Sequence, residues 1–323
     1  MGSLLKMKFK DEIKLYKSMI DENLKKVYES GPINIKEPIY HILKGGKRIR
    51  PILSLITADA CGLNPEEAVD ASISIELLHN FTLIHDDIMD NDDLRHGNET
   101  IHKKWNDSIA ILSGDAMLAI ALLKLNEIPK YSSSIIKKFN EGLIEVCEGQ
   151  ALDLYFQDKE IITENDYLKM IHKKTGFMIG LSAEIGAILA NADKNTQNEM
   201  KKYGFLIGRA FQIQDDLLEI ISNKSKMGKT LESDFLLNKK TYLSIKSRLI
   251  DNEIINTFID IAKNDFEKGF MHYKEFLQRN NIIEETEETI SEILNKADKI
   301  LIDLEINRKN LFDYTKFILN RKH

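Results

Sequence analysis

The chain has 323 residues, 43% hydrophobic and 30% charged, with a formal net charge of −6. That composition supports a sizeable soluble core, and the acidic balance excludes a basic nucleic-acid-binding surface as the dominant feature. Two cysteines, Cys61 and Cys147, cannot build a disulfide framework and point to a reducing compartment. No stretch reaches the ~18 uninterrupted apolar residues of a membrane span. Ile109 to Leu125 comes nearest, and Asp115 interrupts it. Met1 to Lys10 is lysine-rich and lacks the apolar centre of a secretory signal, so the expected location is cytoplasmic.

Prolines occur only at positions 32, 38, 51, 65 and 129. Long proline-free stretches with apolar residues three and four apart, and no sustained period-two alternation, predict an all-α protein. In chain order, the pattern predicts a surface helix over 6–29, ended by Gly31-Pro32, and a short helix over 35–44, ended by Gly45-Gly46. Pro51 suits the first turn of a helix reaching Cys61. Asn64-Pro65 is a cap with proline at the first helical position, opening a helix that carries an acidic cluster at its far end. Residues 91–100 are polar and read as a loop. Asp107-Ser108 caps a helix to Leu125, and another covers 132–156. Thr163 and Asp166 match a capping box. Helices follow over 175–191 and 197–221, whose glycines four apart suit close packing. A second polar loop covers 223–238, and 240–320 reads as four or five amphipathic helices. No linker or repeat interrupts this, so 1–323 is expected to be a single domain.

The chemistry concentrates in two places. Phe81-Thr82-Leu83-Ile84-His85-Asp86-Asp87-Ile88-Met89-Asp90 runs from apolar residues into a DDxxD, and Phe211-Gln212-Ile213-Gln214-Asp215-Asp216-Leu217-Leu218-Glu219 repeats the pattern. On a helix, residues one and five of each cluster share a face about one turn apart, pairing Asp86 with Asp90 and Asp215 with Glu219. Carboxylates gathered at the ends of apolar helices are costly without a cation between them. Mg²⁺ fits, because it takes hard oxygen ligands and completes its shell with water and substrate phosphates. A lone DDxxD is commonly a solvated helix end; two copies make a magnesium–diphosphate site the better reading.

Three groups of cations suit the same ligand. Gly45-Gly46-Lys47-Arg48-Ile49-Arg50-Pro51 sets three bases in a loop or first helical turn, and Arg95-His96-Gly97 follows the first acidic cluster. Lys173-Lys174-Thr175-Gly176 and Lys226-Met227-Gly228-Lys229, with Lys239-Lys240, form the third. Arg offers a planar fork to phosphate oxygens and Lys a point charge. Any isolated lysine here reads better as solvated surface.

GGKRIRP at 45–51, HDDIMD at 85–90 with Arg95, GQALD at 149–153, KTG at 174–176, FQIQDD at 211–216, GK at 228–229 and KKT at 239–241 occur in this order. Together they resemble the all-trans isoprenyl diphosphate synthases, the farnesyl and geranylgeranyl diphosphate synthase group. The resemblance implies a bundle of long helices around a central cavity, a homodimer, and up to three Mg²⁺ per active site. It implies condensation of isopentenyl diphosphate with an allylic diphosphate by ionisation, condensation and elimination. Asp86, Asp90 and Asp215 would bind magnesium, with Asp87, Asp216 and Glu219 supporting them. Arg95, Lys174, Thr175, Gln212, Lys229 and Lys239 would hold the allylic diphosphate. Lys47, Arg50, His79 and His96 would hold isopentenyl diphosphate; on a helical wheel His79 stands about 20° from Asp86. His85 is read as packing, not acid–base chemistry.

Three departures stand out. The loop reads Arg95-His96-Gly97 where the family has a second Arg, the second motif ends in Glu219, and Glu232 and Asn238 replace glycines. Phe81 lies about 7.5 Å deeper along the helix than Asp86. By resemblance, an aromatic there with the small Thr82 beside it suggests a C20 product, with C15 as the alternative and Phe81 as plain core the bland reading. A terpene cyclase would need a different second motif, and a non-catalytic synthase subunit would lack an acidic cluster.

Overall fold

The computed structural model describes residues 9–95, 97–221, 235–236 and 239–320. His96, the segment Lys226-Met227-Gly228-Lys229, Glu232 and Asn238, all singled out above, lie outside the described residues. In order, the helices are α1 (Phe9–Leu24), α2 (Ile33–Leu43), α3 (Ile49–Ala60), a short 3-10 turn (Pro65–Ala68) and α4 (Val69–Met89). After α4 come β1 (Leu94–Arg95), β2 (Asn98–Glu99), α5 (Ile101–Lys104), α6 (Asp107–Glu127), α7 (Ser132–Gln157) and α8 (Glu164–Ile171). A π-helical turn (His172–Gly176) leads into α9 (Phe177–Leu189) and α10 (Lys194–Ile221). Last come α11 (Tyr242–Ile250), α12 (Asn252–Asn264), α13 (Phe266–Arg279), α14 (Ile282–Ile302) and α15 (Lys309–Leu319). The all-α expectation holds, and the five terminal helices meet the count read from the pattern.

The chain divides into two compact units. The first comprises the described residues within Met1–Ile144, Met178–Gly204 and Leu301–Tyr314; the second, those within Glu145–Phe177, Phe205–Ile300 and Thr315–His323. In the first, α4 is the central element, packed along α6 and α3. Its Ile73, Ile75, Leu77, Leu78 and Ile84 are buried, each contributing about 1.5–3 kcal/mol. Gly114 lets α6 approach: a Cβ there would lie 2.6 Å from His85 Nε2 and 3.4 Å from Phe81 Cδ2. In the second unit, α11, α12 and α13 begin at side-chain caps. Ser244 N donates to Thr241 Oγ1 at 3.2 Å, Ile254 N to Asp251 Oδ1 at 2.9 Å, and Lys268 N to Asp265 Oδ1 at 3.1 Å. Gly269 allows α12 and α13 to pair closely, since a Cβ would lie 2.5 Å from the Ala262 N. The Phe235 ring sits among Phe266, Phe270 and Tyr273.

Several boundaries differ from the sequence reading for physical reasons. Helix α1 ends at Leu24 instead of 29, and turns follow. Asn106, not Asp107, caps α6, its Oδ1 accepting from Ile109 N at 2.9 Å. Helix α2 starts at Ile33, two residues before the expected start, and ends at Leu43. The polar loop after α4 folds into a two-residue hairpin around Gly97, whose φ of 81° suits a residue without a side chain. Residues 164–189 run on as one helical stretch, with the π-helical turn where a new start was expected.

Candidate active site

The first unit carries the first acidic cluster on the last turn of α4. Asp86 and Asp90 are half-buried and one turn apart, with Asp90 N donating to Asp86 O at 2.8 Å. Asp87 points inward and is 1% exposed. Its Oδ1 accepts from Arg95 Nε at 2.6 Å, so the hairpin after α4 folds back to bring Arg95 beside the cluster. Burial raises the Asp87 carboxyl above its usual range despite the opposing pull of Arg95, and Arg95 is itself raised by its hydrogen bond and charge contact with Asp87 against the effect of burial.

The glycine-rich basic segment packs against α4 at Glu76 and His79. Arg50 Nη1 and His79 Nε2 are 3.2 Å apart, which joins two of the residues expected to hold isopentenyl diphosphate. Lys47 is exposed on the preceding loop. Phe81 and Thr82 are buried on α4, and the Phe81 ring lies 4.5 Å from that of His85. His85 in turn occupies the notch left by Gly114 on α6, so the packing role expected of it matches its surroundings.

The second unit repeats the arrangement on α10. Asp215 and Glu219 are half-buried, and Asp216 is turned inward at 5% exposed. Asp216 joins several elements. Its Oδ2 accepts from Tyr167 Oη on α8 at 2.6 Å and from Tyr242 N on α11 at 2.7 Å; its Oδ1 accepts from Gln212 Nε2 at 3.1 Å. Burial pushes this carboxyl up to about 6. Gln212 is used at both ends, because its Oε1 accepts from Thr175 Oγ1 at 3.0 Å. Thr175 belongs to the π-helical turn, which also carries Lys174. Lys174 Nζ donates to Asp153 Oδ2 of the GQALD segment at 2.6 Å. Lys173 faces elsewhere, held by Glu145 and Glu148 at 2.5 and 2.6 Å. Glu219 and Lys239 line one small pocket with Thr241 and Phe235.

Each unit therefore gathers half-exposed carboxylates with cations of its own. Asp87 and Asp216, the second aspartates of the two motifs, are both withdrawn into hydrogen bonds with the protein. Among the described residues, no three His, Cys, Asp or Glu side chains converge as a ready-made metal cage. The outward donors are carboxylate oxygens only. That set suits Mg²⁺, which takes one or two carboxylates and fills its shell with water and phosphate oxygens. Tyr167 and Gly114 contribute to this geometry without having been singled out in the sequence. A fully buried tyrosine on an amphipathic helix gives no sequence signal of its partner.

Half-exposed carboxylates with cations alongside, as each unit carries, are groups suited to a polyanion and to hard divalent cations. Residues 33–273 match the polyprenyl synthetase family. The chain is 42% identical over 242 residues to a geranylgeranyl pyrophosphate synthase of Geoglobus acetivorans, covering 74% of this chain and 75% of that protein. It is 38% identical over 248 residues to a short chain isoprenyl diphosphate synthase of Methanocaldococcus jannaschii, covering 76% of each. The crystal structure of geranylgeranyl pyrophosphate synthetase from Pyrococcus horikoshii matches with a TM-score of 0.89 at 31% identity, over 97% of this chain and 98% of that one. The chain belongs to the polyprenyl synthetase family. Prenyl diphosphate synthases act on isopentenyl and allylic diphosphates and generally use Mg²⁺.

Proposed function

We propose that this protein is a magnesium-dependent prenyltransferase that condenses isopentenyl diphosphate with allylic diphosphates and stops at geranylgeranyl diphosphate, C20. The observation that carries the reading is the parallel construction of the two acidic motifs. In each, the outer carboxylates are half-exposed, the second aspartate is buried in protein hydrogen bonds, and a separate set of cations stands alongside. The names of the relatives support C20 as the product. The family match from 33 to 273 runs through both units and supports a single catalytic domain.

In this reading Asp86, Asp90 and Asp215 would hold up to three Mg²⁺, which would supply positive charge to the diphosphate. Asp87 keeps Arg95 at the first cluster, while Asp216 and Glu219 support the second. Arg95, Lys174, Thr175, Gln212, Lys229 and Lys239 hold the allylic diphosphate. The charges of the arginine and lysines would stabilise the departing diphosphate as the allylic C–O bond breaks, with Thr175 and Gln212 as neutral hydrogen-bonding partners. Lys47, Arg50, His79 and His96 hold isopentenyl diphosphate with its double bond toward the allylic carbon. The double bond attacks, a C–C bond forms, and the adjacent carbon loses a proton to the released diphosphate. No side-chain nucleophile takes part.

The protein is proposed to act in the cytoplasm as a homodimer. Helix α6 is long and apolar enough to cross a membrane by length and composition, yet only 33% of its most apolar window is buried. Ile111, Leu112 and Leu123 on α6 and Ile144 on α7 are exposed. A helix apolar all round is normally covered, and a twofold axis covers such a face with its own copy. Leu112→Glu combined with Leu123→Glu should give a monomer by light scattering; an unchanged mass would reject this surface. The function itself is tested by incubating the protein with Mg²⁺, isopentenyl diphosphate and each short allylic diphosphate. A farnesyl end product, C15, is the alternative outcome.

A further inference from the structure

The segment Gly45-Gly46-Lys47-Arg48-Ile49-Arg50 alternates in its surroundings. Lys47 is exposed, Arg48 is 5% exposed, and Arg50 is half-buried beside His79. The three bases are therefore not equivalent. Arg48 spends its whole guanidinium inside the protein. Nε donates to Asp21 Oδ1 on α1 at 2.8 Å, Nη1 to Glu76 Oε1 on α4 at 2.6 Å, and Nη2 to the Leu43 carbonyl that ends α2. Glu76 is fixed in turn, its Oε1 also accepting from Asn80 Nδ2 at 3.2 Å. The fork thus ties three helices to the loop before α3.

The backbone at Arg48 is in the left-handed region, with φ of 55°, following Gly45 and Gly46 at 86° and 89°. A non-glycine residue there is strained and persists only where its surroundings over-determine it. The buried fork is what over-determines it. Gly46 belongs to the same arrangement, because a Cβ at 46 would lie 3.2 Å from Arg48 Nη1. Along α4, Glu76 receives Arg48 and, three residues on, His79 meets Arg50. The loop is strapped to one face of α4 at two successive points.

We propose that Arg48 is a positioning residue for isopentenyl diphosphate. Its buried fork holds the strained loop so that Lys47 and Arg50 keep a fixed spacing on either side of it. The inference rests on the reading that Lys47, Arg50 and His79 hold that substrate. It predicts selectivity between the two substrates, because Lys174 and Thr175 are fixed by a separate set of partners, Asp153 and Gln212.

The test is two-substrate kinetics on Arg48→Lys, Asp21→Asn and Lys47→Ala, each first checked for a cooperative melt. Lys cannot reproduce a three-limbed planar fork. In Arg48→Lys, KM for isopentenyl diphosphate should rise about tenfold or more, while KM for the allylic diphosphate stays within about twofold. Asp21→Asn removes the charge from one limb, at a carboxylate that is 31% exposed, and should shift the same KM in the same direction by less. If Arg48→Lys does not fold, Asp21→Asn decides alone. The proposal is overturned if both KM values move together, or if neither moves while Lys47→Ala raises KM for isopentenyl diphosphate. A silent Lys47→Ala would overturn the underlying assignment of the site as well.

Discussion

Gly149→Ala probes how the diphosphate-binding turn is held. A methyl at 149 would lie 2.4 Å from the Lys174 N and 2.7 Å from its Cα, about 1 Å short of ordinary contact. Both clashes are with backbone, so α7 or the π-helical turn must move by roughly that amount. Overpacking costs about 1–3 kcal/mol, and the helix propensity of alanine over glycine returns about 1 kcal/mol. The stability loss is therefore modest, but a ~1 Å displacement of a substrate-positioning group can cost about 10²-fold in rate. Gly186→Ala is the matched control. Its methyl, on α9, would lie 2.4 Å from the Ser54 carbonyl oxygen of α3, an equally hard clash on the helix that carries Arg50 and not at Lys174. The expected outcome is a similar fall in melting temperature for both variants. Only Gly149→Ala should show a large loss of kcat/KM for the allylic diphosphate, assayed well below either melt. Equal loss in both, or none in Gly149→Ala, would refute the claim that this contact sets the position of Lys174.

Phe81→Ala should lengthen the product beyond that of the wild type, read by chromatography of the hydrolysed alcohols, and lower stability by about 3–5 kcal/mol because the ring is buried. Tyr167→Phe removes one of the donors to the buried Asp216 carboxylate and should lower the denaturant midpoint by the equivalent of about 1.5–3 kcal/mol. Burial and Asp193 push the Cys61 thiol up to about 11, whereas Cys147 is exposed. Iodoacetamide at pH 8 should therefore label the native protein once, at Cys147, by peptide mass; rapid labelling of Cys61 would show that its surroundings are open.

Much of this arrangement was legible in the sequence because it depends on spacing. The one-and-five spacing of Asp86 with Asp90, and of Asp215 with Glu219, places each pair on one helical face, and the order of the motifs pointed to the family. The inward or outward turn of individual residues was not legible. Nothing in Lys47-Arg48-Ile49-Arg50 marks the middle arginine as the buried one, since that depends on Asp21 and Glu76, far away in sequence. The π-helical turn at His172–Gly176 was invisible for a related reason. It inserts a single residue into an otherwise helical pattern, which apolar periodicity cannot resolve over so short a stretch. The cap of α6 was misread by one position because Asn106, Asp107 and Ser108 are all good capping residues, and only geometry selects Asn106.

The central claim is tested most directly by product analysis with purified protein, Mg²⁺, isopentenyl diphosphate and the C5, C10 and C15 allylic diphosphates in turn. The account predicts condensation with an all-trans C20 diphosphate as the end product, abolished by chelation of the metal. Absence of condensation with every starter, in protein that melts cooperatively, would contradict it.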